Sequence, residues 1–184
     1  MEYRRGTTMP SNKNETVLLR GNRFNVHLMH LEGSDGKTYE REVIRHPGAV
    51  VLVPVLDCDH VVLIENSRPT VGETLLELPA GTMDWDEAPE ATAIRELAEE
   101  TGYRAERFTL LHEFYSAPGI SDELMYLYVA EGLTAGEHAR EAVEEIENRI
   151  ASKSEIIQWI QEGRIRDGKT LIGLYAFLHS PQFQ

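Results

Sequence analysis

Apolar residues recur at strand-like spacing through the first part of the chain. Three short segments have this character, and the turn "GSDGK" separates the last two of them: "TVLLR", "FNVHLMHLE" and "TYEREVIR". The next segment, "GAVVLVPVL", is apolar almost throughout, which is typical of a strand buried on both faces. Because proline has no N–H to donate, Pro54 within it predicts an edge strand or a bulge at that point.

The remaining segments mix strand-like and helix-like patterns. Further strands are predicted by "VVLIEN", "FTLLHEFY" and "LMYLYVAEGL". "SEIIQWIQEG" predicts a helix with Ser154 as its N-cap and Gly163 at its C-terminal end, and "KTLIGLYAFLHS" predicts a last helix closed by Pro181. "GEHAREAVEEIENR" fits either a helix or a loop. Strands first, a helix between strands and helices last predict an α+β fold with a mixed sheet.

One predicted helix, from Pro89 to Gly102, is crowded with acidic residues. Proline is tolerated in a first helical turn, and glycine suits a left-handed C-terminal cap. Seven carboxylates lie between Asp84 and Glu100, with Arg95 as the only cation. The predicted inward stripe of this helix consists of Ile94, Leu97 and Thr101.

Glu96, Glu99 and Glu100 lie close together on one face of that helix, where like charges repel. Two interpretations are open: a solvated acidic face, or a site where a bound cation supplies positive charge. The preceding "LLELPAG" bends at Pro79 and Gly81, so that a loop carbonyl and the helical carboxylates form an oxygen-only ligand set. Mg²⁺ and Mn²⁺ prefer such ligands, whereas Zn²⁺ prefers His or Cys.

Composition narrows the possible functions. The 184 residues suit one domain of ordinary size, and 41% of them are hydrophobic, enough for a packed core. A net charge of −13 argues against nucleic acid as the main partner. Cys58 is the single cysteine, so no disulfide forms within the chain. Neither a membrane span nor a signal peptide is apparent, and we expect a cytoplasmic protein.

The acidic segment matches a known pattern at every fixed position. Gly81, five residues, Glu87, seven residues and then "RELAEETGY" resemble the Nudix box, G-x5-E-x7-R-E-U-x-E-E-x-G-U, where U is a bulky apolar residue. The resemblance implies a Nudix fold, in which a mixed β-sheet is sandwiched between helices. It also implies hydrolysis, with Mg²⁺ or Mn²⁺ as cofactor, of a nucleoside diphosphate linked to another moiety.

The flanking segments are similar to ADP-ribose pyrophosphatases and their nucleotide-sugar relatives. These segments are "REVIRHPGAVVLVPV", "ENSRP", "LLELPAG", "SAPGISDELMYLYVA" and "IRDGKTLIGL", and Pro118 lies where that group carries a marker proline. The implied reaction cleaves ADP-ribose or a related nucleotide sugar into a nucleoside monophosphate and a sugar phosphate. Alternatives are a GDP-mannose or other nucleotide-sugar pyrophosphatase and, in another class, a catalytically silent Nudix-like domain that senses a nucleotide.

The resemblance also assigns roles to individual residues. The implied metal ligands are Glu96, Glu99, Glu100 and the main-chain carbonyl of Ala80, with Arg95 orienting the carboxylates and Glu87 in support. Arg68 would reach the substrate phosphates, unless it is an ordinary arginine at a strand end. Glu123 would contact substrate, unless it is a solvated loop residue.

Related enzymes supply a further metal ligand or the general base from a late acidic loop, here "REAVEEIENR". Its alignment places Glu144 at the ligand position and Ala142 where one subgroup carries its base. The base is therefore open between Glu141, Glu144, Glu145 and a glutamate of the box.

An N-terminal β-subdomain is expected over residues 1–45, loosely ordered at 1–14, and the Nudix domain over residues 46–184. Members of the subfamily often exchange such a subdomain across a homodimer, so the resemblance implies a homodimer here. Phe24, Arg41 and Glu42 lie where a partner would contribute to the substrate pocket. The alternative for Phe24 is an ordinary core residue.

Overall fold

The structure is a computed structural model that describes residues 14–136 and 146–181. The strands are β1 (Glu15–Arg20), β2 (Asn25–Glu32), β3 (Thr38–Arg45), β4 (Ala49–Pro54), β5 (His60–Arg68), β6 (Glu73–Glu77), β7 (Ala80–Thr82), β8 (Tyr103–Arg104), β9 (Arg107–Tyr115), β10 (Leu124–Glu131), β11 (Thr134–Ala135) and β12 (Ile146–Ser152). The helices are α1 (Pro89–Glu96), continued by a π-helical turn (Leu97–Thr101), α2 (Lys153–Gln161) and α3 (Gly168–His179).

A mixed sheet with the order β7-β4-β10-β9 forms the centre of the molecule. β4 runs parallel to β10 and antiparallel to β7, and β9 is antiparallel to β10. Every residue of β4 is buried, and its side chains alternate between two cores. Val50 and Leu52 pack with residues of α1, whereas Val51 and Val53 pack with residues of α3. The predicted strand buried on both faces and the sheet between helices are thus confirmed.

A second, antiparallel sheet has the order β12-β5-β6, and β8 pairs with β11 as a small ribbon. β12 begins at Ile146, so the end of "GEHAREAVEEIENR" is a strand, whereas the sequence left helix or loop open. In the part of the chain that the structure describes, no helix is both long and apolar enough to cross a membrane.

Pro54 lies on an inner strand with no bulge in its pairing to β10, but β7 pairs only with Ala49–Val51, so the predicted edge position holds locally. It is the last residue of the central strand β4, opposite Ala130. The missing N–H costs little there, because the next residue, Val55, donates its own N–H to the Ala130 carbonyl at 2.8 Å.

The helix ends follow local capping chemistry. α1 begins at Pro89 and its π-helical extension ends at Gly102, which has a left-handed φ of 75°, as predicted. The N-cap of α2 is Ser152 rather than the predicted Ser154. The Ser152 hydroxyl accepts from the Glu155 N–H, and the Glu155 carboxylate accepts from the Ser152 N–H at 3.0 Å, which together form a capping box.

The inward stripe of α1 is shifted from its predicted position. Leu97 and Thr101 are buried as predicted, but the side chain of Ile94 is 53% exposed. Ala93, one residue earlier, is fully buried against β4 in its place. The small alanine lets the helix backbone approach the sheet closely, whereas a stripe containing Ile94 would rotate the helix away.

The first three strands form a separate antiparallel sheet, β1-β2-β3. Arg45 pairs with Glu15 inside this sheet and with Asp122 outside it, so the Asp122 pair attaches the sheet to the rest of the molecule. The Ile44 N–H adds a second attachment by donating to the Ile120 carbonyl at 2.8 Å. Exposed apolar side chains on this sheet and its hairpin are Val17, Leu18, Leu19, Phe24, Leu31 and Tyr39. Phe24 is 39% exposed, so the alternative of an ordinary core residue is wrong.

Candidate active site

The loop before the acidic helix passes directly against one of its carboxylates. The Pro79 carbonyl accepts from the Leu52 N–H at 2.9 Å, which fixes the loop to the central sheet. A β-carbon added at Gly81 would lie 1.9 Å from the carboxyl carbon of Glu96, far inside van der Waals contact. Only glycine fits this position while Glu96 stays where it is, which explains the fixed glycine of the motif.

Glu100 is tied to the same loop. Its side chain is almost fully buried, and Oε2 accepts from the Ala80 N–H at 2.9 Å. The backbone of Ala80–Gly81 and two of the helical glutamates, Glu96 and Glu100, therefore lie together. The role of the Ala80 carbonyl and of these glutamates as metal ligands stays a prediction.

Arg95 is the centre of an ion-pair network. Its Nη1 donates to Glu96 at 2.6 Å and to Glu99 at 3.0 Å, while Nε and Nη2 donate to the two carboxylate oxygens of Glu87 at 3.3 and 3.1 Å. The contact with Arg95 holds the pKa of Glu87 below its usual value, and hydrogen bonds to Glu87 raise the pKa of Arg95 further above its already high value. One guanidinium thus offsets much of the repulsion within the acidic helix.

The π-helical turn from Leu97 to Thr101 widens the helix where Glu99 and Glu100 project. The Thr101 hydroxyl donates to the Leu97 carbonyl, and the Thr101 carbonyl accepts from Asn148 Nδ2 at 2.7 Å. Such turns are common at functional sites because the extra residue per turn re-aims side chains. Asn148 was not among the predicted residues, since no local signal in "EIENR" points to a contact so distant in the chain.

Two adjoining cavities share Arg68 and the segment 80–82 as their common wall. We call the first, of about 500 Å³, the acidic cleft; its lining includes Asn22, Arg23, Trp85, Glu96, Glu99 and Glu100. We call the second, of about 420 Å³, the side cavity; its lining includes Tyr115, Ser116, Glu123, Lys169 and Ile172. Together they form a groove with room for an elongated ligand.

Arg68 is anchored by a buried carboxylate that sequence reasoning missed. Nε and Nη2 of Arg68 donate to the two oxygens of Glu77 at 2.8 and 2.7 Å, and Glu77 is only 1% exposed. Lys169 Nζ contacts the same carboxylate at 2.5 Å and Asp167, the N-cap of α3, at 2.9 Å. Hydrogen bonds to Glu77 raise the pKa of Arg68. The sequence does contain a signal for this carboxylate, because a glutamate inside the apolar segment "LLEL" needs a cationic partner if it is buried.

The remaining predicted residues fall into three groups. Glu123 lines the side cavity, accepts from the Ser116 hydroxyl and lies 3.6 Å from His46 Nδ1. Phe24, Arg41 and Glu42 are exposed and lie outside the linings of both cavities of their own chain. Residues 1–13 and the part of the late loop before residue 146, with Glu141, Ala142, Glu144 and Glu145, lie outside the described residues.

The residues present fit a hard divalent cation. The cleft is lined by Glu96, Glu99 and Glu100, whose carboxylates offer only oxygen donors, and by the backbone of Ala80. The absence of a side chain at Gly81 lets Glu96 lie directly against that backbone. With Arg95 bound to two of these carboxylates, the described residues contain no group of three His, Cys, Asp or Glu already arranged around a metal position. Arg95 binds Glu96 through Oε1 and Glu99 through Oε2, so an ion entering the cleft would use the second oxygen of each carboxylate while Arg95 orients the pair.

The mixed sheet between helices, with a glycine loop packed against helical glutamates, defines the class of protein. Residues 45–171 match the family model described as the NUDIX domain, and the chain therefore belongs to the Nudix family. Hydrolases of this family generally use divalent metal ions. A solved structure titled as an ADP compounds hydrolase superposes with a TM-score of 0.74 over 90% of this chain and 93% of that one, at 24% identity.

Relatives with different names resemble the chain over most of its length. The "Methanol dehydrogenase activator" of Bacillus methanolicus is 40% identical over 78% of this chain and 79% of its own. The "ADP-ribose pyrophosphatase" of Bacillus subtilis is 33% identical, with 83% and 84% covered. The "GDP-mannose pyrophosphatase" of Yersinia pestis is 34% identical, with 88% and 89% covered.

Proposed function

We propose that this chain hydrolyses the pyrophosphate bond of ADP-ribose or a related nucleoside diphosphate sugar, giving a nucleoside monophosphate and a sugar phosphate. It is a Nudix pyrophosphohydrolase with Mg²⁺ as cofactor, for which Mn²⁺ can substitute. The observation that carries the proposal is the complete box folded as one site, with Glu96 and Glu100 packed against the Ala80–Gly81 backbone at the wall of the acidic cleft. The family and the named relatives support the substrate class.

The metal would be held by the Ala80 carbonyl and by Glu96, Glu99 and Glu100, with Glu144 of the late loop as a further ligand. When bound, such an ion neutralises negative charge on the pyrophosphate oxygens and lowers the pKa of an attacking water. Arg95 orients the carboxylates of the box by donating hydrogen bonds to Glu96 and Glu99.

Substrate would lie across the wall shared by the two cavities. Nε and Nη2 of Arg68 donate to Glu77, so Nη1 can donate to a phosphate oxygen. Glu123 would contact the part of the substrate in the side cavity. A carboxylate takes the proton of the attacking water, and the candidates for this base are Glu141, Glu144, Glu145 and a glutamate of the box.

The chain would consist of an N-terminal β-subdomain, residues 1–45, and a Nudix domain, residues 46–184. The protein would be cytoplasmic and would form a homodimer through its N-terminal sheet. The exposed apolar side chains of that sheet and its hairpin support this, because an interface would remove them from water. Phe24, Arg41 and Glu42, which lie outside both cavities of their own chain, would serve the partner's pocket. Light scattering coupled to gel filtration tests the dimer, and a monomer at micromolar concentration would contradict it.

A panel of nucleotide sugars tests the substrate. Purified protein with Mg²⁺ is incubated with ADP-ribose, GDP-mannose and ADP-glucose, and the products are identified by chromatography. ADP-ribose cleaved with the highest kcat/KM supports the proposal, whereas a preference for GDP-mannose selects the alternative pyrophosphatase. Tight nucleotide binding without turnover would instead select the silent sensor, which the complete box disfavours.

Activation of a dehydrogenase is a second candidate, favoured by the 40% identity to a protein named for that role. The test adds this chain to a methanol dehydrogenase assay. Glu100→Gln separates the two roles, since an activation that depends on hydrolysis is lost in this variant. No change in dehydrogenase rate with wild-type protein would dismiss the second candidate.

A further inference from the structure

We propose that Arg23, at the tip of the hairpin between β1 and β2, is a phosphate anchor in the acidic cleft of its own chain. This inference rests on the proposed function and adds a substrate-binding residue from the N-terminal sheet. It differs from the contributions assigned to Phe24, Arg41 and Glu42, which would come from a partner.

The turn of the hairpin brings Arg23 to the cleft. The Gly21 N–H donates to the Phe24 carbonyl at 3.0 Å and closes the turn around Asn22 and Arg23. Both of these tip residues line the acidic cleft, together with the glutamates of the box. The hairpin tip and the acidic helix therefore both contribute to the wall of the same cleft.

The charges of the cleft single out Arg23 among its cations. Among the described lining residues the cations are Arg23, Arg68 and Arg95. Arg95 is bound to three glutamates and Arg68 to the buried Glu77. Arg23 makes no ion pair or hydrogen bond with any described residue, so its full charge and all its donors remain for a ligand.

A pyrophosphate ligand needs such a group. The described wall of the cleft carries Asp84, Glu96, Glu99 and Glu100, which repel an anion. A guanidinium donates in a planar fork that matches two phosphate oxygens, and it keeps its charge at all working pH values. Arg23 would thus offset part of this repulsion.

The kinetic test compares Arg23→Ala with Arg20→Ala. Arg20 lies on the same hairpin, is exposed and does not line the cleft, so its variant removes the same charge without touching the site. With ADP-ribose and saturating Mg²⁺, we expect Arg23→Ala to raise KM about tenfold, as for loss of one charge-assisted hydrogen bond, with kcat nearly unchanged. Arg20→Ala should leave both constants unchanged, and Arg23→Lys should restore part of the affinity.

A binding measurement provides a readout that needs no turnover. Trp85 lines the acidic cleft and is 51% exposed, whereas the only other tryptophan, Trp159, is 4% exposed and lies beside Arg149 and Arg164. Titration with inorganic pyrophosphate plus Mg²⁺ should therefore change the fluorescence of Trp85, and Trp85→Phe should abolish the signal. Arg23→Ala should weaken the measured affinity by a factor similar to the rise in KM.

The outcomes separate this inference from the proposed function. Suppose that wild-type protein cleaves nucleotide sugars but Arg23→Ala matches Arg20→Ala in KM and in pyrophosphate affinity. The proposal that Arg23 binds phosphate is then wrong, and the proposed hydrolase function is unaffected. If no substrate is cleaved, the function is wrong, and the fluorescence titration alone decides whether Arg23 holds phosphate. A loss of kcat with unchanged KM and affinity would also overturn the anchor.

Discussion

The carboxylate of Glu96 lies against the backbone of Gly81 so closely that a β-carbon at residue 81 would be 1.9 Å from Oε1. Because Glu96 is buried and bound to Arg95, it cannot simply turn away from an intruding methyl group. The fixed glycine and the first of the clustered glutamates therefore act as one structural unit, and the metal site is built on their contact.

Gly81→Ala should disable the enzyme while leaving the fold largely intact. The added methyl group displaces Glu96, and a misplacement of about 1 Å at a reacting site costs roughly 100-fold in rate. Steady-state kinetics against Mg²⁺ concentration measure the effect. Gly119→Ala is the control, since a β-carbon there meets nothing within 4 Å. Equal activity of the two variants would contradict the packing argument.

Arg95→Lys should weaken metal binding more than it weakens folding. Lysine lacks the fork that holds Glu87, Glu96 and Glu99 together, and loss of a residue that orients metal ligands costs about 10–100-fold in affinity or activity. The measurement is the Mg²⁺ concentration for half-maximal activity. Arg107→Lys, at an exposed pair with Glu131, should change nothing. An unchanged metal requirement in Arg95→Lys would contradict the positioning role.

Glu77→Gln should destabilise the protein. The buried carboxylate neutralises Arg68 and Lys169, and breaking a buried ion pair on one side costs about 3 kcal/mol in the free energy of unfolding. Urea denaturation measures this. The control is Glu73→Gln, at the exposed pair with Arg166, with an expected change of about 0.5 kcal/mol or less. If Glu77→Gln loses no more unfolding free energy than Glu73→Gln, water replaces the missing carboxylate and the argument from the buried ion pair is contradicted.

The ion pair between Glu87 and Arg95 should stabilise the fold only above acidic pH. The folded-state pKa of Glu87 lies below its ordinary value of 4.5, so the contribution is fully present above that value and is lost as pH falls through the lowered folded pKa. In metal-free buffer, the stability difference between wild type and Glu87→Gln should therefore shrink on acidification. A difference that grows as pH falls would reverse the assigned sign.

Features set by local chemistry were readable from the sequence. The bounds of the acidic helix follow from Pro89 and Gly102, and the burial of β4 follows from its unbroken apolar run. The cap of α2 was also readable, because Glu155 stands three residues after Ser152 and one after Ser154, which selects Ser152 for a capping box.

Features set by distant contacts were not readable. Ile94 has the right spacing for the inward face, but the close approach of the helix to β4 selects Ala93 instead. The partner of Glu77, Lys169, is 92 residues away in the chain, so no spacing rule connects them. The placement of Asn22 and Arg23 in the acidic cleft likewise depends on how the N-terminal sheet docks through Arg45.

The role of the glutamate site in metal-dependent hydrolysis is tested by product-resolved hydrolysis of ADP-ribose by wild type, Glu100→Gln and Glu90→Gln, each with Mg²⁺ and with chelator. Glu90 is an exposed acid on the same helix and serves as the matched control. We expect AMP and ribose 5-phosphate from wild type and Glu90→Gln only when Mg²⁺ is present, with Glu100→Gln slower by about 1,000-fold. Cleavage that persists in chelator, or an equal rate in Glu100→Gln, would contradict that role.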